Sequence, residues 1–227
     1  MLTEIPALLS DNEITTIRGR LATAEWVDGR QTAGSQARQV KRNLQLDDDS
    51  ALAKELRDFI VRKLGSHPTF LSATLPYSIF PPRFNCYEHG GAYGLHVDNA
   101  IMTLPDQRLL RSDISATLFL SAPESYDGGE LMIEGSFGAQ SVKLDAGSLI
   151  LYPSSSLHEV RPVTSGRRQA AFFWVQSMVR ETHQREQLFE LDQAIQVLSV
   201  DRGADDHEVR RLSALYHNLL RSWSVTA

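Results

Sequence analysis

Between residues 77 and 178 the apolar positions come in short runs at every second residue, and turn formers separate the runs. Ile114, Ala116, Leu118 and Leu120 alternate with Ser115, Thr117, Phe119 and Ser121, the two-residue period of a strand. Asp127-Gly128-Gly129 marks a turn before a strand at 130–134. Val142-Lys143-Leu144, Asp145-Ala146-Gly147 and then 148–152 read as strand, turn and strand. The stretch 168–176 is apolar on both faces apart from its ends, which suits a central strand. Many short strands with no helix between them point to a sandwich or jelly roll.

The flanks carry a different period. Ser10-Asp11-Asn12-Glu13 is a capping-box pattern ahead of Ile14, Ile17 and Leu21 on one helical face. A second helix starts near Asp49-Ser50, gathers Leu52, Leu56, Phe59, Ile60 and Leu64, and stops at Gly65 with Pro68 beyond. The segment 22–44 between them is less periodic and leaves room for an extended piece. After Met178, Leu188, Leu191, Ile195 and Leu198 share one helical face. A further helix starts at Asp205-Asp206 with Val209, Leu212, Tyr216, Leu219, Leu220 and Trp223 on its apolar side. We therefore expect a mostly β core with flanking α in three stretches. These are a helical segment at 1–76 packed on the core, a jelly roll at 77–178, and a helical extension at 179–227. The C-terminal stripes are expected to pack on the core or against a partner subunit, a homodimer being one such assembly.

Three residue types within the strand region bear chemistry. His96 and Asp98 are two apart, so on one strand they point the same way and both reach one metal ion. His158 lies sixty residues after Asp98 and supplies a second imidazole from a distant strand. Two imidazoles and one carboxylate on one side of a metal suit non-haem Fe(II), because three positions stay open for co-substrate and oxygen. Arg168, ten residues beyond His158, is a planar cationic fork suited to a carboxylate deeper in the same pocket. Adjacent strand residues face opposite ways, so of Arg167 and Arg168 only one can enter that pocket. Alone, H-x-D is a weak signal, and a strand with two satisfied polar residues has the same pattern.

The surroundings sharpen it. Tyr87-Glu88-His89-Gly90-Gly91-Ala92-Tyr93-Gly94 is a glycine-rich stretch just ahead of the pair, and Tyr152-Pro153-Ser154-Ser155-Ser156-Leu157 delivers His158. With Gly94-Leu95-His96-Val97-Asp98-Asn99-Ala100, Asp127-Gly128-Gly129-Glu130-Leu131, 111–121 and Phe172-Phe173-Trp174-Val175-Gln176-Ser177, these stretches resemble the bacterial PKHD-type hydroxylases, relatives of the prolyl and lysyl hydroxylases. The resemblance is strong over about 77–178 and looser through both flanks. It implies the double-stranded β-helix, a jelly roll, and an Fe(II)- and 2-oxoglutarate-dependent dioxygenase. Such an enzyme hydroxylates its substrate with succinate and carbon dioxide as co-products. The ligands would be His96, Asp98 and His158, with Arg168 anchoring the far carboxylate of 2-oxoglutarate and Thr117 or Tyr87 assisting as hydroxyl donors. L-Ascorbate as the reductant that maintains the iron is implied by the family alone. The ten-residue offset from His158, as in the family, selects Arg168 over Arg167. One departure is visible: family members commonly have Asn-Arg-Tyr where this chain has Asn85-Cys86-Tyr87, which puts any role of that arginine in doubt.

Other positions are weighed on the same footing. His89, Tyr93 and Asn99 flank the metal residues and are the candidates for the substrate side. His67, His183, His207 and His217 are expected at the surface or in packing. A metal-binding sensor or scaffold would need the same triad without Arg168, and a zinc hydrolase would need a general base that the H-x-D segment does not offer. The substrate stays open between a peptidyl group, an amino-acid-like molecule and a small molecule linked to iron handling. A formal charge of −5 over 227 residues argues against nucleic acid as a partner. One cysteine, no secretory pattern at the start and no apolar run of membrane length lead us to expect a cytoplasmic protein.

Overall fold

The computed structural model describes residues 2–32, 40–135 and 138–225. Their strands form an eight-stranded sheet, a five-stranded sheet and two two-stranded ribbons, all with antiparallel pairing. The larger sheet runs in the order Thr3–Ile5, Leu149–Pro153, Ile114–Phe119, Arg168–Ser177, Arg83–Tyr87, Leu44–Leu46 and Trp26–Asp28, and Pro76–Ile79 also pairs with Arg168–Ser177. The smaller runs Gly138–Val142, Leu131–Gly135, His158–Val160, Ala92–His96 and Lys41–Arg42. The ten-residue strand Arg168–Ser177 has neighbours on both sides, as its two apolar faces require.

The alternation along Ile114–Phe119 assigns the two faces of the larger sheet. Ile114, Ala116 and Leu118 look outward into a core shared with Leu149, Leu151, Phe173 and Val175. The helices Asp11–Ala22, Ala51–Gly65 and Pro68–Thr74 cover that face with Ile14, Ile17, Leu21, Leu56, Ile60, Leu64 and Phe70. Phe119 looks the other way, into a second core between the sheets with Tyr87, Leu131, Ile133, Ile150, Tyr152 and Val163. Ser115 and Thr117 share its parity and so face the inside of the jelly roll.

Local chemistry fixes the helix ends. Glu13 accepts from the Ser10 backbone N–H at 2.9 Å, the reciprocal half of a capping box. Ser50 accepts from the Ala53 N–H at 3.1 Å, and Asp206 accepts from Glu208 and Val209 at the start of His207–Trp223. That last helix and Thr182–Arg202 pack against each other and on Leu75 and Val179 at one edge of the core, through Leu188, Tyr216, Leu219, Leu220 and Trp223.

Several expectations are corrected. The helical segment expected at 1–76 also contributes strands: Thr3–Ile5 joins the larger sheet, and Trp26–Asp28, Lys41–Arg42 and Leu44–Leu46 supply the extended piece for which 22–44 left room. Two or three residues are too few to display a strand period. The helix Ala51–Gly65 ends at Gly65 as read, but Pro68 beyond it opens a further helix, Pro68–Thr74, where a missing N–H costs nothing, and His67 Nδ1 caps it by accepting from Phe70 N–H. Asp127-Gly128 belongs to the strand Tyr126–Gly128 as well as to the following turn, and the next strand begins at Leu131. Among the described residues, no helix is long and apolar enough to cross a membrane.

Candidate active site

Strand register assembles the three metal-ligand candidates. His96 is the last residue of Ala92–His96, His158 is the first of His158–Val160, and the two are Cα partners across the pair. Asp98 lies two residues past the end of its strand, not within it as strand alternation had placed it, and still turns back to the same point. One ligand atom from each of the three falls within 4.8 Å of the others. His96 Nε2 is 3.9 Å from Asp98 Oδ1, and His158 Nε2 is 3.8 Å from Asp98 Oδ2.

The chain orients each donor. His96 Nδ1 is 2.8 Å from the Gly94 carbonyl and His158 Nδ1 is 3.0 Å from the Ser156 carbonyl. With Nδ1 protonated in both rings, each Nε2 lone pair is left free to face the shared centre. Burial, then the neighbouring His158, pushes the His96 imidazole down, which favours the uncharged form a metal requires. Ser115 Oγ donates to Asp98 Oδ2 at 2.6 Å and lies 2.8 Å from Ser154 Oγ, so a pair of hydroxyls steadies the carboxylate. Tyr93 stacks on His96 with centroids 3.6 Å apart, and Tyr152 meets His158 edge-on at 5.1 Å.

Arg168 is 1% exposed and opens on the same cavity. Its guanidinium lies 5.4 Å from the Tyr87 ring centre and 5.1 Å from that of Phe119. Among the described residues, its Nε and Nη2 atoms have no hydrogen-bond partner. Buried guanidinium N–H groups without acceptors are costly, so these two nitrogens are suited to an anion. Gly129 makes room for the guanidinium: at φ 69° with Arg168 Cδ only 3.0 Å from the position of a Cβ, this residue favours glycine on both counts. Burial pushes the Tyr87 phenol up to about 12, so it stays protonated and able to donate. Thr117 lines the cavity beside Tyr152. Arg167, on the opposite face, pairs with Glu88 at 2.6 Å and keeps about half of its side chain exposed.

The cavity is open at its mouth, and with that solvent included about 880 Å³ is free of protein atoms. It brings together His96, Asp98, His158, Arg168, Thr117, Tyr87, Tyr93 and Asn99. His89 does not join them. It sits exposed at φ 51° in the turn that Gly91 N–H closes onto the Glu88 carbonyl. Ser115, Lys41 and Arg83 line the site without having been singled out from sequence. The polar parity it shares with Thr117 was the one available sign for Ser115.

Fold and site together define an oxygenase, and comparison with known proteins agrees. Residues 82–176 match the 2OG-Fe(II) oxygenase superfamily, and residues 183–224 match the PKHD-type hydroxylase C-terminal domain. A Pseudomonas putida prolyl-4-hydroxylase superposes with a TM-score of 0.53 at 20% identity, covering 78% of this chain and 92% of that one. HygX of Streptomyces hygroscopicus, solved with nickel, 2-oxoglutarate and hygromycin B, superposes at 0.52 and 15% identity, covering 78% and 82%. These two share the fold. Closer relatives cover whole chains. A PKHD-type hydroxylase of Pseudoalteromonas atlantica is 56% identical over 99% of this chain and 100% of its own. One from Teredinibacter turnerae is 59% identical over 99% of each. PKHD-type hydroxylase PiuC of Pseudomonas aeruginosa is 52% identical, again over 99% of each. The chain belongs to the PKHD-type hydroxylase family. It is a 2-oxoglutarate-dependent hydroxylase with Fe(II) as its metal, and ascorbate is the accessory usual in the family.

Proposed function

We propose that His96, Asp98 and His158 hold the Fe(II), that Arg168 anchors the far carboxylate of 2-oxoglutarate with Thr117 and Tyr87 as hydroxyl partners, and that the substrate enters past Tyr93 and Asn99. The observation that carries this reading is the buried Arg168, with two unpartnered guanidinium nitrogens in the cavity of the triad. A sensor or scaffold that only bound metal would have no use for it. The donor set fits Fe(II), being two imidazoles and one carboxylate whose ligand atoms come together at one point.

The bound metal supplies dioxygen activation: 2-oxoglutarate and dioxygen become succinate and carbon dioxide, and one oxygen atom ends as the hydroxyl of the substrate. The protein supplies position. Gly94 and Ser156 carbonyls fix the imidazoles, Ser115 steadies the carboxylate, and Arg168 sets the depth at which 2-oxoglutarate lies. The substrate classes in view are peptidyl, amino-acid-like and small-molecule, and a cytoplasmic setting accords with the single buried cysteine.

Replacing Asp98 with alanine removes the anionic ligand. Iron content and uncoupled conversion of 2-oxoglutarate to succinate should both fall to background. Wild-type iron and turnover in that variant would mean that the triad is misassigned. An untargeted screen of cell extract for masses that gain one oxygen, only with Fe(II), 2-oxoglutarate and active enzyme, then identifies the substrate.

A further inference from the structure

The carboxylate of the proposed metal centre is held by two hydroxyls in series. Ser115 Oγ lies 2.6 Å from Asp98 Oδ2 and 2.8 Å from Ser154 Oγ. A serine hydroxyl has one proton to give, and a carboxylate that binds a metal has none. Ser115 therefore donates to Asp98, and the contact behind it is satisfied only when Ser154 donates to Ser115. The chain has one direction, from Ser154 through Ser115 to Asp98. Both serines are 2% exposed, so bulk water does not compete for either hydroxyl. Donors in series polarise one another, and the last of them, at 2.6 Å, has the length of a charge-assisted bond.

Ser154 also belongs to the segment that delivers the second imidazole. It follows the strand Leu149–Pro153, and its N–H donates to the Asp113 carbonyl at 3.2 Å. Asp113 is itself tied to the central strand, where its Oδ2 accepts from the Ser177 N–H at 2.9 Å. The Ser156 N–H donates to the Pro153 carbonyl at 3.0 Å and closes a turn around Ser154. The Ser156 carbonyl in turn faces His158 Nδ1 at 3.0 Å. One turn, 153–156, thus holds Asp98 through Ser115 at one end and His158 through Ser156 at the other. Asp98 needs that hold, because it lies past the end of Ala92–His96, and the strand pairing that sets His96 does not reach it.

We infer that Ser154, one hydroxyl removed from Asp98, is a positioning residue of the metal centre. It orders the Ser115 hydroxyl on Asp98 and so keeps the carboxylate and the second imidazole in step. This rests on the reading of His96, Asp98 and His158 as the ligands. The test is Co(II) binding, followed by calorimetry and visible absorption, neither of which needs turnover. It compares the wild-type protein with Asp98→Ala, Ser115→Ala, Ser154→Ala and the double serine variant. Ser115→Ala should weaken Co(II) binding about tenfold and Ser154→Ala about fivefold, as for outer partners that orient a ligand. The double variant should bind no more weakly than Ser115→Ala, because Ser154 has nothing to act through once Ser115 is gone. Ser154→Ala should also shift the Co(II) absorption bands, which a loss of general stability would not do; Ser154→Gly takes its place if Ser154→Ala does not fold. Wild-type affinity and spectrum without the Ser154 hydroxyl, or two losses that simply multiply in the double variant, would overturn the inference. Wild-type Co(II) affinity in Asp98→Ala would instead count against the ligand reading itself.

Discussion

At the scale of single residues, Arg167 and Arg168 are one peptide apart and in opposite environments. Arg168→Ala should weaken 2-oxoglutarate binding by about 2–5 kcal/mol, since a buried carboxylate would lose its charged partner. Arg167→Ala removes a half-exposed pair with Glu88 and should shift it by less than about 1 kcal/mol. Titrating both variants checks the strand parity, and equal losses would reverse it. Thr117→Val keeps the shape and deletes the hydroxyl, so weaker 2-oxoglutarate affinity with unchanged iron content is expected; unchanged affinity removes Thr117 from the site. Cys86 is 1% exposed, and burial pushes its thiol up to about 12. It should stay silent to a thiol reagent at neutral pH until denaturant is added, and rapid labelling of native protein would contradict that. That His96, Asp98, His158 and Arg168 line one cavity was expected from the sequence, from the H-x-D spacing and the family resemblance together, since the spacing alone is a weak signal. Ser115 was not, since a serine on a strand has no signature until its partner is known. Lys41 was hidden because its strand is only two residues long.

At the scale of elements, the helices facing the larger sheet were readable wherever a cap preceded a sustained apolar period. Ser50→Ala should cost about 1 kcal/mol by stripping the cap of Ala51–Gly65, measured as a shift in the denaturant midpoint. Leu118 is 0% exposed at the centre of the sheet-to-helix core, so Leu118→Ala should cost about 2–5 kcal/mol in the same measurement. A loss below about 1 kcal/mol at Leu118 would mean that this face is not the helix-covered one. The elements that escaped the sequence are the short ones. Edge strands of two or three residues obey pairing, not periodicity, and Pro68–Thr74 was masked by a proline that starts a helix as readily as it ends one. The position of Asp98 has a similar origin: the strand stops at His96, and what places the carboxylate is the Ser115 hydroxyl, not the pleat.

At the scale of the whole molecule, two antiparallel sheets are divided in labour. The larger is clad by helices on its outer face and gives Arg168, Thr117, Ser115 and Phe172 to the cavity. The smaller gives His96, His158 and Lys41, and the chain just beyond its Ala92–His96 strand gives Asp98. The site therefore exists only when the sheets face each other, which is why strands alone announced a jelly roll while the hydroxyl contact to Asp98 needed the assembled fold. The most direct measurement is an anaerobic titration of the Fe(II)-loaded protein with 2-oxoglutarate, followed by visible absorption. We predict a weak charge-transfer band that saturates with 2-oxoglutarate, is absent in Asp98→Ala, and requires far more co-substrate in Arg168→Ala. A band of wild-type strength and midpoint in either variant, or none in the wild-type protein, would contradict the assignment of these residues.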